Sequence, residues 1–185
     1  MMTIEITSSP SLDDVLSVAN AKAYLRVDHS DDDTLIEALR DAAISWVEDY
    51  CNTRLGDVTA VGYMDHFYPA RVPVGPVQSI SSITYTAPGG STATLGTGNY
   101  WFDLKTMPAR IRFDNVPDVE DDALNRVQVN MTLGYLEAEI PKPLIQAVKL
   151  MIAHMYETRV PVVTGTITSE VPLALKALLN PYRIL

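Results

Sequence analysis

This chain of 185 residues holds one cysteine, three histidines and only 14 lysines and arginines. The lone Cys51 cannot form an internal disulfide, which excludes the small disulfide-stapled class. No C-x-x-C and no H-E-x-x-H occurs, so the common zinc patterns are missing. Walker-type loops, the dinucleotide fingerprint and the G-x-S-x-G elbow are missing as well. No apolar run reaches the roughly 20 residues a membrane helix needs, so no membrane partner is expected. The opening MMTIEITSSPSLDD lacks the basic start and apolar stretch of a signal peptide, and a cytoplasmic site of synthesis is expected.

Hydrophobic residues make up 47% of the chain, enough for a proper core, and the length suits one domain with an insertion. Net charge is −9 and uneven. Residues 1–57 carry 12 acidic and 4 basic groups, residues 58–136 carry 7 and 5, and residues 137–185 carry 4 and 5. The front is acidic and the back near neutral. Gripping phosphate backbones takes clustered Lys and Arg, so an acidic chain is poorly suited to it.

Residues 1–11 read as a loosely docked arm. A helix is expected over 12–26 with a break near Ser17–Asn20, and a second over 31–51. Between them lies an acidic hinge. Asp28, Ser30 and Asp31, with Asp32 and Asp33, offer acceptors for free N–H groups at a helix start and charge that suits its dipole. The spacing of Leu35, Ile36, Leu39, Ala42, Ala43, Trp46, Val47 and Tyr50 predicts one buried stripe.

From residue 58 the period changes. VTAVGYMDHFY, VQSISSITYT, NYWFDL, ARIRF and RVQVNMTLGY are rich in β-branched and aromatic residues, with turn signals at Pro88-Gly89-Gly90 and Gly96/Gly98. They predict an antiparallel β-meander over 58–136, with residues 117–122 as an exposed acidic loop. Helix returns over 140–159, with Pro141 and Pro143 at its first turn. Residues 160–185 read as an extended arm ending in a short helix, LALKALLN. The fold class is therefore α+β, a domain of N- and C-terminal helices (the first over 12–57) with an inserted antiparallel meander.

Candidate chemistry is sparse. The aspartate cluster lacks the alternating ligands, central glycine and terminal glutamate of an EF-hand loop, so capping is the better account. His154 and Glu157 share a helix face, but a catalytic zinc needs three protein ligands. Cys51 follows a helix C-terminus, where a thiol is not activated, and reads as a small buried hydrophobe. Tyr100, Trp101 and Phe102 could stack a sugar, or divide between core and interface. No catalytic residues, cofactor or metal are assigned.

Four stretches resemble the head–tail connector (adaptor) proteins of long-tailed bacteriophages and gene transfer agents. They are AKAYLRVDHSDDDTLIEAL continuing through AAISWVEDYCNTRL, VGPVQSISSITYTAPGG with the following NYWFDL, LIQAVKLMIAHMYETRVPVVTG, and VPLALKALLNPYR. They cover most of the chain in family order. The resemblance implies helices with an inserted β-region, no enzymatic activity, and a ring of about twelve copies in which one face of a subunit meets a different face of the next. It implies a place beneath the portal protein, where the ring continues the DNA channel and offers a platform to a stopper or tail-completion protein. Assembly in the host cytoplasm and residence at the head–tail junction of the virion follow from the same likeness. Such a ring would carry roughly a hundred net negative charges, letting DNA pass without specific binding.

With the portal as expected partner, the candidate contact residues are Thr164, Gly165, Leu173, Leu175, Leu178, Leu179, Tyr182 and Arg183 of the C-terminal arm. The arm could equally pack on its own domain. Two alternatives stand beside the connector reading: a small carbohydrate-binding module built on Tyr100–Phe102, and a different neck component such as a stopper.

Overall fold

The computed structural model describes residues 2–158 and 173–184. Its contacts divide the chain into a β-rich unit of Met1–Pro10, Asn52–Leu136 and Ile184–Leu185, and a helical unit of Ser11–Cys51 and Glu137–Arg183.

The helical unit opens with α1 (Leu12–Val15) and α2 (Val18–Leu25). Leu16 and Ser17 between them are extended, and the Ser17 hydroxyl accepts the Asn20 N–H at 3.3 Å as an N-cap. The expected interruption thus falls at Leu16–Ser17. Arg26 ends α2 in the left-handed region (φ 60°), and the Val27 N–H returns to the Lys22 carbonyl at 3.0 Å. Next comes α3 (Asp33–Cys51), then α4 (Lys142–Glu157) with Pro141 just ahead of it and Pro143 in its first turn. The last helix is α5 (Leu173–Leu179). α4 packs on α3 and α5, burying Leu144, Ala147, Val148, Met151 and Ile152.

The buried stripe of α3 is turned from the expected one. Ile36, Arg40, Ala43, Ile44, Val47, Glu48 and Cys51 face inward, whereas Leu35 and Ala42 are exposed. A hydrophobicity pattern skips Arg40 because it weighs the guanidinium. In the fold the arginine stem is covered and the head is paired, which is how a cation becomes tolerable in a core.

The β-rich unit contains β1 (Thr3–Ile6), β2 (Val58–Met64), β3 (Ala70–Arg71), β4 (Val77–Thr86), β5 (Thr92–Thr94), β6 (Tyr100–Asp103), β7 (Arg110–Phe113) and β8 (Val127–Leu133). They form a five-stranded sheet in the order β1-β2-β8-β4-β5 and a three-stranded sheet in the order β3-β7-β6, every pair antiparallel. The antiparallel β-region is as expected, but sequential pairing of a meander is confined to β1–β2, β4–β5 and β6–β7. The centre of the larger sheet is β8, which joins β2 and β4 from the far end of the insertion. Both β2 and β8 alternate strictly, burying Val58, Ala60 and Met64 on one and Val127, Val129, Met131 and Leu133 on the other.

Residues 3–6 depart from the expected loose arm. Thr3–Ile6 pairs along β2 from Tyr63 to Ala60, and Met2 is buried. The alternation in TIEI is too short to read as a strand alone; the unpaired edge of β2 supplies its partner.

Candidate functional site

Three surfaces bear on function, two on the helical unit and one on the β-rich unit. The first is the turn between α2 and α3. The Asp32 carbonyl accepts the Ile36 N–H at 2.8 Å, which puts Asp32 at the helix start. Its carboxylate accepts the Tyr156 hydroxyl at 2.6 Å, and Asp33 pairs with Lys22. These two aspartates tie the turn to α4 and α2. Of the three hinge residues singled out from sequence, Ser30 acts through its backbone, its carbonyl accepting the Asp33 N–H at 3.2 Å. Asp28 and Asp31 are exposed, and Asp31, with a side chain 90% accessible, has among the described residues only the His29 ring nearby, at 3.9 Å.

The second surface is the C-terminal segment. Thr164 and Gly165 lie outside the described residues, as does the side chain of Leu173. Leu175 and Leu179 are fully buried in the helical unit, so they are core residues and not the free apolar surface expected of an arm. Amphipathic spacing in a seven-residue helix announces an apolar face but not which surface covers it. Leu178 and Tyr182 are half-buried, and Arg183 is exposed with its guanidinium 5.3 Å from the Tyr50 ring. Tyr50 stacks on Trp46 with centroids 5.3 Å apart, and its hydroxyl donates to Asn180 Oδ1 at 3.0 Å. The Cys51 sulfur lies 3.8 Å from the Leu179 carbonyl oxygen. Burial pushes this thiol up to about 11, against a smaller opposite effect of Arg183. It packs as the small hydrophobe expected.

The third surface is the smaller sheet, which sequence reasoning caught only through its aromatics. Tyr100 is buried, while Trp101 and Phe102 are about half exposed at 49% and 46%. Strand alternation sends Trp101 to one face and Tyr100 and Phe102 to the other. Pro69–Arg71, Trp101–Asp103 and Arg110–Arg112 line a groove of about 410 Å³. Arg112 sits over the Trp101 ring at 5.3 Å, the face on which a sugar would stack. Arg110 contacts Asp103 at 2.6 Å and, with the Lys105 N–H, holds that carboxyl below the ordinary range.

The fold is α+β, with exposed surfaces on each of its two units. Comparison with known proteins bears on what such a chain resembles. Residues 15–88 match the family described as phage gp6-like head–tail connector protein. No curated protein sequence matches the chain. Its fold matches a chain in the neck of an empty gene transfer agent (GTA) particle computed with C6 symmetry. The TM-score is 0.79 at 19% identity, covering 99% of this chain and 96% of that one. Chains from the virion of a native GTA particle and from a native GTA neck computed with C12 symmetry match with TM-score 0.77, 18% identity and the same coverage. The likeness to head–tail connector proteins is thus carried by residues 15–88 of the sequence, and over the whole chain the fold is that of the neck chains.

Proposed function

We propose that this protein forms a ring of about twelve copies at the neck of a phage-like particle, beneath the portal, where it continues the DNA channel and offers a docking platform to the next neck or tail protein. The observation that carries this reading is the near end-to-end correspondence of the fold, 99% of this chain, with a neck chain resolved under C12 symmetry. The role is structural and non-catalytic. The net charge of −9 per copy suits a wall past which DNA slides without being held. The protein is made in the host cytoplasm and retained in the virion at the head–tail junction.

Contact with the portal is assigned to the C-terminal segment. Of the candidate residues, half-buried Leu178 and Tyr182 and exposed Arg183 remain accessible there, and Thr164 and Gly165 belong to the same stretch of sequence. Electron microscopy of the protein mixed with the portal protein encoded beside it, with the native mass of each alone, tests the reading. A new ring layer on the portal is expected. A chain that never joins the portal but binds an already assembled connector ring makes it a stopper or tail-completion protein instead.

A further inference from the structure

We infer that the outer face of the β3-β7-β6 sheet is a contact between copies of this chain, taking the acidic turn between α2 and α3 of a second copy. The inference rests on the ring proposed above and assigns two of its surfaces. In the register of this sheet Arg71 lies opposite Arg110, Arg110 opposite Asp103, and Arg112 opposite Trp101. Alternation puts all five on one face. Three guanidiniums therefore share a short sheet with one carboxylate, a net of +2 on a chain of net −9. Asp103 serves Arg110. Among the described residues Arg71 and Arg112 have no carboxylate partner, and Arg71 directly faces a like charge, an arrangement that costs stability in an isolated sheet. Carboxylates brought from outside would relieve it, and the planar guanidinium fork suits them. The exposed Trp101 on the same face adds apolar area of the kind that anchors interfaces.

A second copy meets these requirements by charge. In the α2–α3 turn Asp32 and Asp33 are engaged within their own unit, while Asp28 and Asp31 are exposed. The arginine face belongs to the β-rich unit and the turn to the helical unit. The contact is therefore heterologous, the type that closes rings. Phosphate would also suit arginine, but the net charge of the whole chain repels a polyanion.

The test is a charge swap read by native mass and by electron microscopy on the portal, with circular dichroism and melting to show that each variant folds. The arginines changed are exposed, so folding should survive. Arg71→Glu with Arg112→Glu should abolish the ring. Adding Asp28→Lys and Asp31→Lys to the same chain should restore it. Rings that persist in the arginine variant overturn the inference and leave the ring reading standing. Rings lost and not restored by the swap overturn the pairing with the turn. Intact rings that lose duplex DNA binding assign the face to nucleic acid and overturn it too. A wild-type chain that forms no ring, alone or on the portal, overturns the ring reading and this inference together.

Discussion

Asp13 on α1 pairs with Arg40, whose side chain is buried in the middle of α3, a contact across 27 residues of sequence. Arg40 also donates to Asp41 at 2.8 Å, lies 3.7 Å from Glu37, and reaches the Leu16 carbonyl at the break before α2. One cation thus holds the four-residue α1, which could not persist by itself. Arg40→Ala should cost about 2–4 kcal/mol, through lost packing and through freeing α1. Asp13→Ala should cost about 1 kcal/mol or less, because Asp13 is largely exposed and Arg40 keeps its other partners. Urea denaturation of both variants checks the order; equal losses would show that the burial of Arg40 is not what matters.

In the C-terminal segment stability and attachment should separate by residue. Leu179→Ala removes a fully buried side chain and should destabilise by about 2–5 kcal/mol. Tyr182→Ala and Arg183→Ala, at less buried positions, should leave the melting temperature within a few degrees while weakening portal attachment. A pull-down with the portal protein reads the second effect, and undiminished capture of both variants would remove the segment from the portal contact. Truncation before residue 173 is a poor test of attachment, because it also removes core residues.

Gly134 follows β8 with φ at +104°, and a Cβ there would stand 1.9 Å from the Gly56 carbonyl oxygen. Backbone meets backbone, so no side-chain rearrangement gives room. Gly134→Ala should cost at least about 2–3 kcal/mol and lower the yield of folded protein. By contrast Gly98, which has open space around it and no positive φ, should accept alanine within about 1 kcal/mol. Thermal melts of the two variants compare them directly.

Cys51 should resist alkylation at neutral pH, since the thiolate is the reacting form and the folded thiol titrates at about 11 against an ordinary 9.0. The folded state holds the proton more tightly than the unfolded state. The contribution of this group to stability is therefore complete below pH 9 and is lost as pH rises from 9 through 11. Iodoacetamide labelling followed by mass spectrometry, with and without denaturant, reads the first point. Fast labelling of native protein would show that the thiol is accessible. Melts of wild type and Cys51→Ala across alkaline pH read the second, the wild type losing more.

Local pattern was enough to place the long elements. The wide apolar face from Leu144 to Tyr156 announced α4, and alternation in RVQVNMTL announced β8, because each pattern repeats over several periods. The class of surface at Trp101 was also legible, as adjacent residues in a strand must point oppositely. The rotation of α3 was not legible, since Arg40 becomes a core residue only where Asp13, Glu37 and Asp41 converge on it. Nor was the arginine face. Arg71 stands 39 positions before Arg110, and only the pairing of β3 with β7 sets them side by side.

By itself the amino-acid sequence determined the α+β composition, the order of helices around a β-rich insertion, the acidic balance and the family likeness. The likeness rests on the resemblance of four stretches; the rest follow from short-range periodicity, capping and turn chemistry, or summed charge. Tertiary structure decided what depends on partners distant in the chain. It made residues 3–6 an edge strand because β2 had an unpaired edge, and it buried Leu175 and Leu179 because α3 and α4 cover them. It also left Asp28 and Asp31 outward while Lys22 and Tyr156 engage the neighbouring Asp33 and Asp32. Burial and pairing are properties of surfaces that meet, and a sequence lists one surface at a time.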